Sequence, residues 1–378
     1  MTQTVLLTLG RLPKALDIAR AFHAAGWRVL VAEPFRRHLT GASNCVARSF
    51  VVTAPVENAE LYLADLARIA AAEGVSLVVP VSEETMHAAF LRPFLPAGVT
   101  LFTMPPELVL ELHDKHRFIE RARAAGLAVP ETYRLGTAEA AALAARAPTV
   151  VKPIFSCSGH GVRFLAAGDA LPDAAGMPAH VVQHFVAGRV YSNCAIAAGG
   201  RVVANVIYRG AIMSGTVAVA FERVLEHAAM TAWINRFVAA INYTGFISFD
   251  FVAAENGEVV AIECNPRATS GLHFLQPQDL VTAIVNPAAL RCARFRPELR
   301  LQQFYAALTE TQGSIKKPRI FIRHLRALVS TPDVTWRRDD PMPFLTMTFT
   351  TWRIISMAMR RGVPFGEVAT LDIGWYPT

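Results

Sequence analysis

Three features of the 378-residue sequence predict a mixed α/β and α+β fold, with a parallel α/β domain first and a mainly helical extension last. Short apolar runs alternate with helical stretches over residues 1–111. From about residue 112 hairpin signals replace that alternation, and beyond residue 286 the charge balance turns basic. The composition is 53% hydrophobic and 18% charged, too apolar for a disordered chain. The length allows several cores, and no uncharged apolar run reaches the roughly 18 residues that a membrane helix requires.

The first region reads element by element. Residues 4–9 (TVLLTL) are a strand, followed by an amphipathic helix through Ala25 that Gly26 stops; residues 28–33 (RVLVAE) are the next strand. The rhythm repeats with a strand at 49–53, a helix at 57–73, a strand at 76–81, a helix from 83, a strand at 99–104 and a helix after Pro105-Pro106. Such βαβ repetition predicts a doubly wound parallel sheet. No G-x-G-x-x-G follows the first strand, so no dinucleotide site is expected there. The N-terminal stretch has no basic segment ahead of its apolar run and reads as a strand rather than a signal peptide. Five cysteines without a C-x-x-C pair argue for a reducing cytoplasm, and against a disulfide framework or a zinc cluster.

The second region predicts a helix at 113–126, a strand at 149–155, a small-residue loop at 156–162 and strands at 163–166 and 179–188. A hairpin at 190–209 turning at Gly199-Gly200, a helix at 222–241 and a hairpin at 246–267 follow. Asn256-Gly257 between alternating runs signals a two-residue turn, which sets the register of the last hairpin. Phe251 then faces Ile262 and Phe249 faces Cys264 on an apolar face with Ile247, so a nucleophilic role for Cys264 is not expected. On the other face Ser248 meets Asn265 and Asp250 meets Glu263. Facing carboxylates repel unless a cation joins them. An all-oxygen set of Asp250, Glu263 and the Asn265 amide suits Mg²⁺, which takes one or two carboxylates and completes its shell with water and phosphates.

A phosphate-binding reading needs a cradle and cations. The loop Ser156-Cys157-Ser158-Gly159-His160-Gly161 lets backbone N–H groups approach an anion, although an ordinary hairpin turn has the same composition. Lysine is scarce, at Lys14, Lys115, Lys152, Lys316 and Lys317, and a lysine inside the apolar strand VVKP is costly without a partner. Arg267 stands two residues past Asn265, with a fork suited to a phosphoryl or carboxylate group.

In order along the chain, Asp114-Lys115, Val-Val-Lys152-Pro, the loop 156–162, Gln183-His184-Phe185-Val186-Ala187-Gly188, Phe-Asp250-Phe and Ile-Glu263-Cys-Asn265-Pro-Arg267 resemble the ATP-grasp superfamily over residues 1–285. The similarity is to the carbamoyl-phosphate-synthase-like and amino-acid-ligase members. It implies a first domain over 1–111, a small ATP-grasp subdomain over 112–186, a large one with the metal site over 187–286, and an extension over 287–378. It implies ATP and Mg²⁺, with Mn²⁺ as a substitute. Lys115, Lys152, Ser158, Gly159 and Gly161 would meet the nucleotide phosphates, and Gln183, His184, Phe185 and Val186 the adenine. Asp250, Glu263 and Asn265 would hold the metal, and Arg267 the transferring phosphoryl group. The sequence departs from the family at His184, where Glu is common, and at Val190, where a Glu usually lies near the ribose.

The implied reaction is ATP-dependent ligation of a small carboxylate to an amine through an acyl phosphate, releasing ADP and phosphate. The alternatives are a carboxylase or small-molecule kinase on the same fold, and a nucleotide-binding module without catalysis. Ser270 and His273 either orient an acceptor or simply cap the segment after the metal strand.

Residues 1–286 carry equal numbers of cations and acids, whereas residues 287–378 carry 14 Lys/Arg against 7 Asp/Glu. That is a local basic module and not a nucleic-acid signature. Residues 316–326 and 342–359 join basic and aromatic side chains. They read either as helices packed on the core or as a weak contact with an anionic membrane surface or lipid-like ligand.

Overall fold

The computed structural model describes residues 2–156, 161–361 and 368–376. Five strands open it: β1 (Thr4–Leu7), β2 (Arg28–Glu33), β3 (Arg48–Val51), β4 (Leu77–Val79) and β5 (Thr100–Leu101). All pairs are parallel in the order β3-β2-β1-β4-β5, so the apolar runs read from sequence are strands buried between helical layers. The order reverses between β1 and β4. A doubly wound sheet opens its crevice at such a switch point, beyond the carboxyl ends of the strands.

A four-stranded antiparallel sheet follows, β6 (Thr132–Arg134), β7 (Thr149–Pro153), β8 (Arg163–Leu165) and β9 (His180–His184), in the order β6-β9-β7-β8. The third sheet has six strands: β10 (Gly188–Ala198), β11 (Arg201–Ser214), β12 (Val217–Val224), β13 (Gly245–Ala254), β14 (Val259–Asn265) and β15 (Arg300–Gln302), in the order β14-β13-β10-β11-β12-β15. β10 and β11 turn at Gly199-Gly200 as expected. Gly188 starts β10 because a Cβ there would lie 2.3 Å from the Ala253 carbonyl oxygen.

One expectation is corrected here. The helix expected at 222–241 begins at Ala228, and residues 217–224 are strand β12, bound to both β11 and β15. The basic last quarter is mainly helical, as expected, and adds the short strand β15 to the large sheet. Residues near 369–372 return to the first domain, where Arg11, 2% exposed, pairs with Glu33 and Asp372. One face of the large sheet packs an aromatic core of Phe118, Trp233, Phe237, Phe249 and Phe251, while the other shares a core with the helix Pro13–Ala24. No helix among the described residues is long and apolar enough to cross a membrane.

Candidate active site

The β13–β14 hairpin brings the acid pair together by a route the sequence does not announce. Its loop holds three residues, Glu255 to Gly257, because the Ala254 N–H donates to the Glu258 carbonyl and Gly257 adopts φ +84°. The two-residue turn is therefore wrong, and so is the pairing that followed from it: Phe251 faces Ala261, not Ile262. Ile262 is then an extra residue in β14, and this bulge restores the expected register beyond it. Asp250 faces Glu263, Phe249 faces Cys264, and Ser248 faces Asn265. Cys264 is buried in the aromatic core, as its register predicts.

A bulge frees a backbone group from the ladder. Here the Ile262 carbonyl accepts from Lys152 Nζ at 3.1 Å and lies 3.5 Å from Gln183 Nε2. The β7 lysine of the small sheet is thereby tied beside the acid pair of the large one. Lys115 lies at the start of the helix Lys115–Ala124, which Asp114 caps by accepting from the His116 and Arg117 N–H groups. Its Nζ donates to the Ser156 carbonyl at 2.9 Å and stands 3.7 Å from Glu263 Oε2. Both ammonium groups thus converge on the strand end that carries Glu263.

The acid pair sits in a short relay of polar contacts. Ser192 Oγ donates to Asp250 Oδ1 at 2.5 Å, and Asn265 Nδ2 donates to Asp250 Oδ2 at 3.2 Å. Arg267 Nη2 donates to Asn265 Oδ1 at 3.1 Å and pairs with Glu83 Oε1 at 2.5 Å. Burial first, and Glu263 second, push the Asp250 carboxyl up to about 6. Burial likewise pushes Lys152 down to about 8, with Lys115 adding to the effect and Glu263 opposing it. Each shift marks a charged group short of counter-charge.

The donor chemistry fits a hard divalent cation. Asp250 and Glu263 are two carboxylates with nothing soft beside them, and the Asn265 oxygen keeps a lone pair after accepting from Arg267. Among the described residues no group of three or more His, Cys, Asp or Glu is arranged around a metal position, which sets this site apart from a zinc cage.

Of the remaining expected contacts, Gly161 in the loop has φ +74°, while Ser158 and Gly159 lie outside the described residues. Gln183 is buried, and its Nε2 donates to Thr132 Oγ1 at 2.9 Å. His184 is partly buried and Val186 likewise, whereas Phe185 is 41% exposed and stands edge-on to Phe164. Of the two residues considered as acceptor contacts, His273 is committed elsewhere. It is buried with Nδ1 2.7 Å from Asp17 Oδ2, inside the segment Ser270–Phe274.

The first domain supplies residues that sequence reasoning missed. Glu83 and Glu84 follow β4 at the switch-point crevice, and both are buried. Burial works to raise the Glu83 carboxyl, but Arg267, His113 and Lys14 together outweigh it and hold the group below the usual range. Burial keeps Glu84 above that range, although its Oε1 accepts from Thr8 Oγ1 and the Val81 N–H. Lys14 Nζ donates to the Ala268 carbonyl at 2.7 Å, and burial together with Arg267 pushes it down to about 7. His113 is pushed down to about 4 by burial. Two signals for these residues were present in the sequence: the scarcity of lysine, and an acidic pair directly after a buried parallel strand.

Residues 112–271 match the family description of an ATP-grasp domain. The fold is similar to an N5-carboxyaminoimidazole ribonucleotide synthetase in complex with ADP, with TM-score 0.64 and 14% identity, covering 86% of this chain and 96% of that one. It is also similar to a biotin carboxylase from Campylobacter jejuni, with TM-score 0.62, 15% identity and coverage of 78% and 74%. An L-amino acid ligase from Bacillus licheniformis aligns with TM-score 0.56, 15% identity and coverage of 75% and 74%. No curated protein matches in sequence. The matched segment, residues 112–271, lies across the two antiparallel sheets and carries the hairpin acid pair, so this part of the chain is an ATP-grasp domain.

Proposed function

We propose that this chain is an enzyme that uses ATP and Mg²⁺ to join a small carboxylate to an amine. The observation that carries the reading is the register pair Asp250–Glu263, with Lys115 Nζ 3.7 Å from Glu263 and Lys152 anchored on the adjoining Ile262 carbonyl. Support also comes from the fold neighbours, which include a carboxylase structure with MgADP and bicarbonate bound. Asp250, Glu263 and Asn265 would hold Mg²⁺, whose chemistry at this place is to neutralise charge on the β- and γ-phosphate oxygens.

The chain's own residues do the rest. Lys115, from the start of its helix, and Lys152, from the small sheet, would face the phosphates. Arg267, clamped between Glu83 and Asn265, presents its fork where charge grows on the moving phosphoryl group. A carboxylate oxygen of the substrate attacks the γ-phosphorus, the bond to the β-bridging oxygen breaks, and ADP leaves. The amine then attacks the acyl carbon, phosphate departs with the bonding electrons, and the amine proton is lost to it or to water. No side chain becomes covalently attached.

Bicarbonate as the acid gives a second reading, carboxylation, which the carboxylase-type fold neighbours favour; the same residues serve it. ADP release measured across a panel of carboxylates, with and without amines and with and without bicarbonate, tests both, using Glu263→Ala as the blank. An amide product supports ligation and a carboxylated product supports the second reading. ADP release no faster than the blank under every condition, with ATP still bound, would leave a binding module and sink the proposal.

A further inference from the structure

The helix Pro318–Ser330 carries three stripes, of which the active-site reading uses none. One is packed: Leu328 is buried and Ala327 partly so, against Ile212, Val219 and Ala307. A second is basic, with Arg319, Arg323 and Arg326 at i, i+4 and i+7. A third is apolar and exposed, with Ile322, Leu325 and Val329 at i, i+3 and i+7, 48%, 42% and 82% exposed. Ile315, 65% exposed, precedes it. Residues 315–330 hold five Lys or Arg and no acid.

Arg323 also lines a cavity of about 430 Å³ with Arg189, Arg209, Arg300, His324 and Glu222. Glu222 is shared between Arg209, at 3.0 Å, and Arg300, at 3.2 Å. Neither Arg189 nor Arg323 has an ion-pair partner among the described residues, and His324 Nδ1 is buried there without a hydrogen-bond partner. The cavity therefore holds more positive charge than it balances, and it opens beside an exposed apolar stripe.

We propose that this face docks on an anionic phospholipid bilayer, with the helix at headgroup level and the arginine cavity receiving a lipid phosphate. The apolar stripe supplies the area that enters the interface, and the basic stripe beside it supplies the attraction to an anionic surface. A second copy of the chain is disfavoured, because a two-fold contact would set unopposed cations against their own kind. A soluble nucleic acid would satisfy the cations and leave Ile322, Leu325 and Val329 without a role. The helix face lies apart from the acid pair, while the cavity borders the nucleotide side at Val190, which pairs with Val252 two residues along the strands from the Ser192–Asp250 pair.

The test is co-sedimentation of the full chain with sucrose-loaded vesicles of phosphatidylglycerol and phosphatidylcholine in equal parts. Pelleting is expected at low salt, little with phosphatidylcholine alone, and about tenfold weaker binding once salt screens the surface. Ile322→Ser with Val329→Ser is expected to weaken binding about tenfold through lost apolar area. Arg323→Ala with Arg209→Ala should weaken it while abolishing competition by soluble glycerol phosphate. All four positions line the helix surface or the open cavity, and an unchanged thermal melt confirms the fold of each variant. Absence of pelleting at low salt overturns the proposal, as does binding indifferent to both variant pairs. A dimer that the serine variant dissolves, without vesicle binding, assigns the stripe to a second copy and overturns it equally.

Discussion

Arg267 Nη2 lies 2.5 Å from Glu83 Oε1, and this contact joins the segment just past β14 to the carboxyl edge of the parallel sheet. Glu83 is 1% exposed, so the pair is sheltered from water. On its other side Arg267 is held by Asn265, and Asn265 by Asp250. The guanidinium is thus aimed from two domains at once, and the first domain is part of the site.

Glu83→Gln keeps the shape and removes the charge. Turnover is expected to fall about 10- to 100-fold with little change in KM for ATP, because a mis-set guanidinium weakens interactions made while the phosphoryl group moves. Glu83→Ala, which strands a buried cation, is expected to destabilise the fold by about 3–5 kcal/mol. Steady-state kinetics and urea unfolding read the two outcomes, and a glutamine variant with normal turnover would exclude the positioning role.

Asp250 titrates higher in the fold, at about 6, than its ordinary carboxylate value, so its ionisation opposes folding above that pH. Asp250→Asn is expected to stabilise the metal-free protein by about 1–2 kcal/mol at pH 8 and to abolish turnover. The gain should shrink to about half near pH 5 and vanish only below about pH 4, where the carboxyl is protonated in the unfolded chain as well. Thermal melts in EDTA at pH 8 and pH 5 decide it; equal gains at both would refute the shifted carboxyl.

The same proton competes with a divalent ion. Mn²⁺ affinity in the presence of ADP is expected to fall about tenfold per pH unit below pH 6, as Asp250 takes up its proton. Titration calorimetry from pH 7.5 to pH 5 measures this, and a flat profile counts against Asp250 as a ligand.

Deleting Ile262 removes the bulge while preserving the facing of Asp250 and Glu263, since residues 261 and 263 would then pair with Phe251 and Asp250 in regular alternation. The deletion variant is expected to fold, and to bind ATP about tenfold more weakly, because Lys152 and Gln183 lose the carbonyl they share. Fluorescence titration with a labelled nucleotide, beside a melting curve, separates lost affinity from lost fold.

The sequence carried the parallel sheet, the Gly199-Gly200 turn and the acid pair because each rests on local periodicity or on register. It misleads at 217–224, whose last residues read as the start of a helix; β12 turns back on the preceding β11, but its other partner, β15, is distant in sequence. The turn at 255–257 was miscounted by one, and the bulge at Ile262 compensated by one, so Asp250 and Glu263 were matched correctly through an incorrect turn. The roles of Glu83 and Lys14 were beyond reach for another reason, although an acidic pair after a buried strand and a rare lysine stand out in the sequence. Their partners, Arg267 and the Ala268 carbonyl, lie about 180–250 residues away and meet them only after two sheets have docked.

Arg11 carries a last consequence. Its guanidinium is sealed between Glu33 and Asp372, with the Phe35 ring 3.7 Å away. During synthesis, the first strands leave the ribosome long before residue 372 exists, so the nascent domain must hold a cation with only half of its counter-charge. Final consolidation of the earliest-made part then waits on the latest-made, and a chain stalled before that aspartate would be marked for proteolysis at its oldest end.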